Sequence, residues 1–286
     1  MKYTVLSLFP EITDAFFGVS IMARALSRGL LEYRSLNIRD FAPDKHHSCD
    51  DAPYGGGAGM LMLAEPLGRA LESVGVLPRR VFPPESGPNP GEAGGDEPAE
   101  GRQDAERGRR VIYLTPSGRP FTQELARDLA REEELVLICG RYEGIDQRIV
   151  DLYVDDEISV GDYVLSSGEV AALVLIDATY RLVGDVITRE SLREESFAGG
   201  LLEYPQYTRP EIYAMLGVPE CLLSGHHENI RRWRLRKQVE KTLALRPDLI
   251  RRGEEAEIFD AETRRLIVEL KEMQEQRGIY ERDQGN

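Results

Sequence analysis

The sequence predicts an α/β protein: a mostly parallel sheet with helices on both faces, joined to a smaller helical C-terminal region. Through Tyr180, apolar runs of strand length alternate with helical segments, the order that strand–helix–strand crossovers require. From Pro210 onward the periodicity is helical. Three segments with glycine among small or polar residues, Leu114–Gly118, Gly140–Gly144 and Val160–Leu165, follow apolar runs, and ligands of open α/β sheets gather beyond the carboxyl ends of strands.

Taken in order, Tyr3–Phe9 reads as a first strand, Ile12–Leu30 as helix, Leu36–Phe41 as strand and Pro66–Val74 as helix. The alternation resumes with a strand at Val111–Thr115, a helix at Thr122–Arg131, a strand at Leu135–Cys139, a helix at Ile145–Leu152, and apolar residues at helical spacing over Glu169–Tyr180. Between Pro83 and Gly108, proline, glycine and acids replace the apolar pattern, which predicts a disordered insert with almost nothing to bury. Residues 1–182 are therefore expected to form one α/β domain interrupted at 83–108, and residues 183–204 a linker without clear periodicity. Residues 205–286 form the expected helical domain, with helices at Ile212–Leu216, Glu228–Leu245 and Glu262–Gln276 separated by Gly217, Pro219, Gly225, Pro247 and Gly253.

A chain of 286 residues is long enough to bury a sizeable core. No apolar run approaches the roughly 20 residues of a membrane span, and Met1–Phe9 is too short for a leader and lacks a small-residue cleavage site, so a cytoplasmic location is expected. Cys49, Cys139 and Cys221 are widely spaced, with no Cys-x-x-Cys pair, and read as free thiols. The net charge of −14 hides an asymmetry: residues 83–106 carry −6, whereas residues 226–241 carry +4 around Trp233. Arg231, Arg232, Arg234, Arg236 and Lys237 there match the local positive footprint of a phosphate binder, although an ordinary exposed helix has the same composition.

The longest glycine-punctuated stretches, Ile138–Asp146 and Ile158–Glu169, follow apolar runs and predict a cofactor site, because glycine lets main-chain groups approach a ligand closely. Pro53-Tyr-Gly-Gly-Gly-Ala-Gly-Met60 is either an anion-binding nest or a flexible turn. No Gly-Lys-Ser/Thr follows it, and no Gly-x-Gly-x-x-Gly joins a strand to a helix, which sets aside a phosphate-binding P-loop and a dinucleotide fingerprint. Arg181, Arg189, Glu190, Arg193, Glu194 and Glu195 read by charge alone as solvated surface. His226-His227 lacks a second ligand cluster, so no metal centre is expected.

Six segments nevertheless follow one family's motifs in order: Tyr54–Met60, Gly140-Arg-Tyr-Glu-Gly-Ile-Asp146, Ser159-Val-Gly-Asp-Tyr-Val-Leu165, Leu175-Ile-Asp-Ala178, Tyr207-Thr-Arg-Pro210 and Ser224-Gly-His-His-Glu228. The chain resembles bacterial tRNA (guanine-N1)-methyltransferases, the TrmD family of the SPOUT superfamily, over nearly its whole length except residues 83–108. The resemblance implies a deep trefoil knot in the α/β domain, an arrangement that general topology rules disfavour. It also implies that S-adenosylmethionine, whose product is S-adenosylhomocysteine, is held in the knot loops. The residues carried over are Leu114, Thr115, Pro116, Gly140, Tyr142, Glu143, Val160, Gly161, Asp162, Tyr163, Val164, Leu165 and Gly168. A homodimer is implied, each active site completed by the partner's linker and helical domain. The implied substrate is tRNA, methylated on N1 of the guanine immediately 3′ of the anticodon, with the basic face holding the anticodon stem.

The chemistry sets its own demands. N1 of guanine carries a proton and has no free lone pair, so methylation needs a base there and a cation near O6 to stabilise developing charge. Glu195 and Arg181 fit these roles. Two positions depart from the family pattern: Glu195-Ser196-Phe197 stands where an aspartate precedes Ser-Phe, and Ser167 replaces the first glycine of a Gly-Gly pair. The first adds a methylene on a linker one residue shorter; the second is expected to crowd the cofactor or strain the backbone. Two other functions share these motifs, a related knotted methyltransferase with another RNA target and a catalytically impaired RNA-binding protein. Assistance by a divalent ion is left open.

Overall fold

The computed structural model describes residues 1–79, 108–187, 195–197 and 199–283, which fall in two compact units, Met1–Ile187 and Thr188–Asn286. The insert expected at 83–108 lies outside the described residues apart from Gly108, as do Arg189, Glu190, Arg193 and Glu194.

The first unit carries strands β1 (Lys2–Ser7), β2 (Glu32–Asn37), β3 (Asp50–Asp51), β4 (Leu61–Met62), β5 (Arg109–Pro120), β6 (Glu134–Cys139) and β7 (Asp156–Ser159). Its helices are α1 (Pro10–Phe17), α2 (Ser20–Ser27), α3 (Ala64–Ser73), α4 (Gln123–Leu129), α5 (Gln147–Tyr153) and α6 (Gly168–Tyr180). Five strands form one sheet in the order β2-β1-β6-β5-β7, with every neighbouring pair parallel, and β3 and β4 form a separate antiparallel pair.

Period-two alternation explains why both sheet faces are covered. Tyr3, Val5, Ile112, Leu114, Leu135 and Leu137 pack with residues of α1, α2, α4 and α6. Their neighbours Leu6, Val111, Tyr113, Val136 and Ile138 pack with residues of α3 and α5. Each fully buried leucine or isoleucine contributes about 1.5–3 kcal/mol, so a one-residue register slip would exchange the two cores at prohibitive cost.

Several elements differ locally from expectation. The helix expected at 12–30 is two, because the chain breaks after Gly18 and Ser20 takes φ 57°. The strand expected at 36–41 ends at Asn37, whose side chain accepts from the Arg39 amide and starts a 3-10 turn, Ile38–Phe41. Thr122 is the cap of α4 rather than its first residue, its hydroxyl accepting from the Leu125 amide at 3.2 Å.

In the second unit, helices His227–Leu245, Pro247–Glu255 and Ala261–Asp283 enclose a core of Leu201, Val239, Ile250, Phe259, Ile267 and Leu270. The helix expected at 212–216 is instead a hairpin of β8 (Ile212–Tyr213) and β9 (Leu216–Gly217). Ala214 and Met215 between them have φ 47° and 65°, the two positive values of the tight turns that match strand twist. A five-residue apolar run is too short for periodicity to separate helix from strand. Among the described residues, no helix is long and apolar enough to cross a membrane.

Candidate functional site

The carboxyl ends of β5, β6 and β7 surround a cleft of about 240 Å³, placed where parallel sheets commonly bind ligands. Its first wall is an excursion of β5. Leu114 and Arg119 both pair with Ile158, so residues 115–118 loop out and return to the same partner. Gly118 permits the return, since a Cβ there would overlap the backbone of Glu157 and Ile158.

The second wall is the loop after β6, where Tyr142 has φ 58° and Gly144 φ 131°. Gly140 lies against Tyr113, with a Cβ in its place only 2.9 Å from the ring. The third wall follows β7: the Tyr163 hydroxyl donates to the Val160 carbonyl at 3.1 Å, and the Ser159 hydroxyl donates to the Gly161 carbonyl at 3.1 Å. At the floor the Gly168 amide donates to the Gly140 carbonyl at 2.9 Å. A Cβ on Gly168 would stand 2.7 Å from the Gly140 nitrogen, so only glycine allows these backbones to touch.

Leu114, Thr115, Pro116, Gly140, Tyr142, Glu143, Val160, Gly161, Tyr163, Val164, Leu165 and Gly168 all line this cleft, whereas Asp162 belongs to the third loop without lining it. Tyr113, Arg141, Ser159, Ser166 and Ala171 also line it and were not singled out from the sequence. Ala171 had a readable signal, three residues after Gly168 on one helix face. Burial holds the Tyr113 hydroxyl above its ordinary pKa and the Cys139 thiol well above its own, so Cys139, in the core at the end of β6, stays protonated.

The glycine-rich segment 53–60 is a turn stitched to the second wall. The Glu143 amide donates to the Met60 carbonyl at 3.1 Å, the Met62 amide to Gly144 at 3.0 Å, and the Asp146 amide to Met62 at 3.1 Å. Ser167 corrects one expectation: its φ of −161° is extended backbone open to any residue, so the serine introduces no strain there. Its side chain is nearly buried and lines the cleft.

Arg181 caps the carboxyl end of α6 in the first unit. Glu195 is half-buried in the second unit, where its neighbours are held locally: the Glu203 amide donates to Ser196 Oγ at 3.0 Å and the Phe197 amide to the Leu201 carbonyl at 2.9 Å. The basic residues on helix His227–Leu245 are compensated. Arg231 pairs with Glu228 and Glu262, Arg232 with Glu228, Arg236 with Glu240 and Glu269, and Lys237 with Glu240. The Arg234 guanidinium lies 4.8 Å from the Tyr204 ring centre. Glu228 and Glu240 are on the same helix as the cations they meet, whereas Glu262 and Glu269, on helix Ala261–Asp283, are more than thirty residues away in sequence from Arg231 and Arg236.

A parallel sheet with a glycine-walled cleft at its strand ends defines an α/β protein whose cleft stands where such sheets commonly bind ligands. The family described as tRNA (Guanine-1)-methyltransferase TrmD matches residues 1–89 and 98–252, and the chain belongs to this family. The match is interrupted at 90–97, inside the acidic segment. The tRNA (guanine-N(1)-)-methyltransferase of Treponema denticola is 55% identical over 270 residues, covering 94% of this chain and 99% of that protein. That of Treponema pallidum is 53% identical over 270 residues, covering 94% and 96%. The Borreliella burgdorferi protein of the same name is 53% identical over 251 residues, covering 87% and 92%.

Proposed function

We propose that this protein is a tRNA (guanine-N1)-methyltransferase that uses S-adenosylmethionine to methylate the guanine immediately 3′ of the anticodon. The observation that carries the proposal is the cleft at the ends of β5, β6 and β7, in a chain belonging to a family named for this reaction. The residues present fit the donor. Leu114, Ile158, Leu165 and Ala171 supply apolar wall, and Gly140, Gly161 and Gly168, with no side chain to intervene, let the main chain itself line the cleft. Bound there, S-adenosylmethionine supplies an activated methyl group on a sulfonium.

The chain's own residues do the rest. Glu195 accepts the N1 proton of guanine, and Arg181 stabilises negative charge developing at O6. The trefoil knot and the homodimer belong to the same proposal and rest on the motifs quoted above; in the dimer, Glu195 serves the cleft of the partner subunit. Arg231, Arg232, Arg234, Arg236 and Lys237 hold tRNA phosphates, all but Arg234 by exchanging the carboxylate partners shown for them, a low-cost exchange because exposed ion pairs contribute little.

The test is methyl transfer from labelled S-adenosylmethionine to two tRNA transcripts that differ only in guanine or adenine directly 3′ of the anticodon. Label on the guanine transcript alone is expected. Label on both would point to another target base, and binding of both without label would point to an RNA-binding protein that has lost catalysis.

A further inference from the structure

The cleft has a buried charged support that its lining does not explain. Glu169, in the first turn of α6, is fully buried. Its Oε1 accepts a 2.6 Å hydrogen bond from the Ser7 hydroxyl, and Ser7 Oγ accepts from the Phe9 amide at 2.8 Å. Its Oε2 faces Arg141 Nε at 3.7 Å, and both of these buried atoms lack a hydrogen-bond partner. The Arg141 guanidinium in turn lies 4.3 Å from the centre of the Phe9 ring. The contacts close a circuit from the end of β1 through α6 to the loop after β6.

We infer that Glu169 is a positioning residue, which through Arg141 fixes loop 141–144 as a wall of the cofactor cleft. A carboxylate withdrawn from water is costly unless compensated, and the facing cation here is Arg141, whose own backbone is part of the cleft. Backbone bonds hold the far end of loop 141–144, the Glu143 amide donating to Met60, the Gly144 amide to Arg141 and the Met62 amide to the Gly144 carbonyl, while Arg141 and Tyr142, the latter in the left-handed region, stand at the near end. Such a loop needs an anchor to keep one geometry. Glu169 supplies it from the rigid start of a helix, and the Phe9 ring supports the other side of the guanidinium. Ser7 sets the carboxylate's orientation.

The consequence for the cofactor rests on the function proposed above, but the loop anchor is measurable without ligand. In Glu169→Gln, exchange of the Glu143 and Gly144 amides is expected to speed up about tenfold while β6 amides stay protected. S-adenosylmethionine binding is expected to weaken about tenfold, with kcat at saturating cofactor nearly unchanged. Arg141→Lys, which keeps the charge and loses the planar group over Phe9, should loosen the same two amides and decides the matter where Glu169→Gln does not fold. Parental exchange at these amides in a folded variant, with only a lower Tm, would mark a merely structural role and overturn the inference. Failure of the parent protein to bind S-adenosylmethionine would overturn the cofactor proposal and leave the exchange result standing by itself.

Discussion

Gly59 and Glu143 occupy complementary space: at φ 89° Gly59 leaves room for the Glu143 side chain, which a Cβ at that position would overlap. The glycine-rich turn thus acts on the cleft through a side chain that lines it. Gly59→Ala is expected to cost about 1–3 kcal/mol in stability from its left-handed backbone and to weaken S-adenosylmethionine binding by displacing Glu143. Calorimetry on Gly59→Ala, Glu143→Ala and the double variant checks this. The glycine effect on affinity should vanish once Glu143 is shortened, and fully additive losses would refute the coupling.

Glu195→Gln should lower kcat for methyl transfer by about 10²–10⁴-fold, the usual contribution of a positioned base, with cofactor affinity retained. Glu195→Asp restores a carboxylate one methylene shorter and should keep part of the activity. Turnover of Glu195→Gln at the parental rate would remove Glu195 from the mechanism.

Ser167 is nearly buried at the cleft and unstrained, so its effect has to come from the side chain's volume and hydroxyl. Ser167→Gly should change S-adenosylmethionine affinity and, by freeing the unfolded chain, lower stability by about 0.5–1 kcal/mol. Equal dissociation constants for variant and parent would show that the serine leaves the cofactor site untouched.

Glu228 holds both Arg231 and Arg232, and these neighbours bring its carboxyl down to a pKa of about 2. Glu228→Gln should free Arg232 and leave Arg231 to Glu262 alone, tightening tRNA binding severalfold. Arg231→Ala with Arg232→Ala should weaken binding and flatten its salt dependence, each lost phosphate contact removing about 0.9 from the log–log slope. Binding measured against salt concentration reads both effects, and an unchanged slope would place the tRNA elsewhere.

Glu134 ties together the amino-terminal ends of the three central strands β1, β6 and β5, meeting Lys2 at 2.9 Å, the Thr4 hydroxyl at 2.7 Å and Arg109 at 2.8 Å. Burial alone would raise its pKa, yet these partners hold it below the ordinary value. A depressed folded pKa means stabilisation that is complete above the unfolded value, about 4.3, and is lost as pH falls through the folded one. Glu134→Gln should therefore cost about 1–3 kcal/mol near neutral pH, with the gap to the parent closing in acid. A gap independent of pH in urea melts would contradict the linkage.

By itself the sequence marked β1, β5 and β6 and the helices α3 to α6 in the first unit, but not the short β3, β4 and β7, because longer apolar runs and glycine-punctuated ends are local signals. The segments beginning at Leu114, Gly140 and Val160 could be expected to converge before any strand was paired, since each stands at the end of an apolar run, and all three line the cleft. Tertiary structure alone decided the pairing. β1 sits beside β6 and β5 beside β7, and that order brings Ser7 to Glu169, 162 residues away, and Gly59 to Glu143. It likewise set Glu262 and Glu269 of helix Ala261–Asp283 against Arg231 and Arg236 of helix His227–Leu245, a share of the compensation that a local count of charge, which includes Glu228 and Glu240, leaves out. The 212–216 hairpin escaped for the opposite reason: its fold depends on two positive φ values at Ala214 and Met215, residues with no intrinsic preference for them. Short-range patterning reports what a segment can become, whereas burial of unlike segments against each other selects which charges and backbones meet.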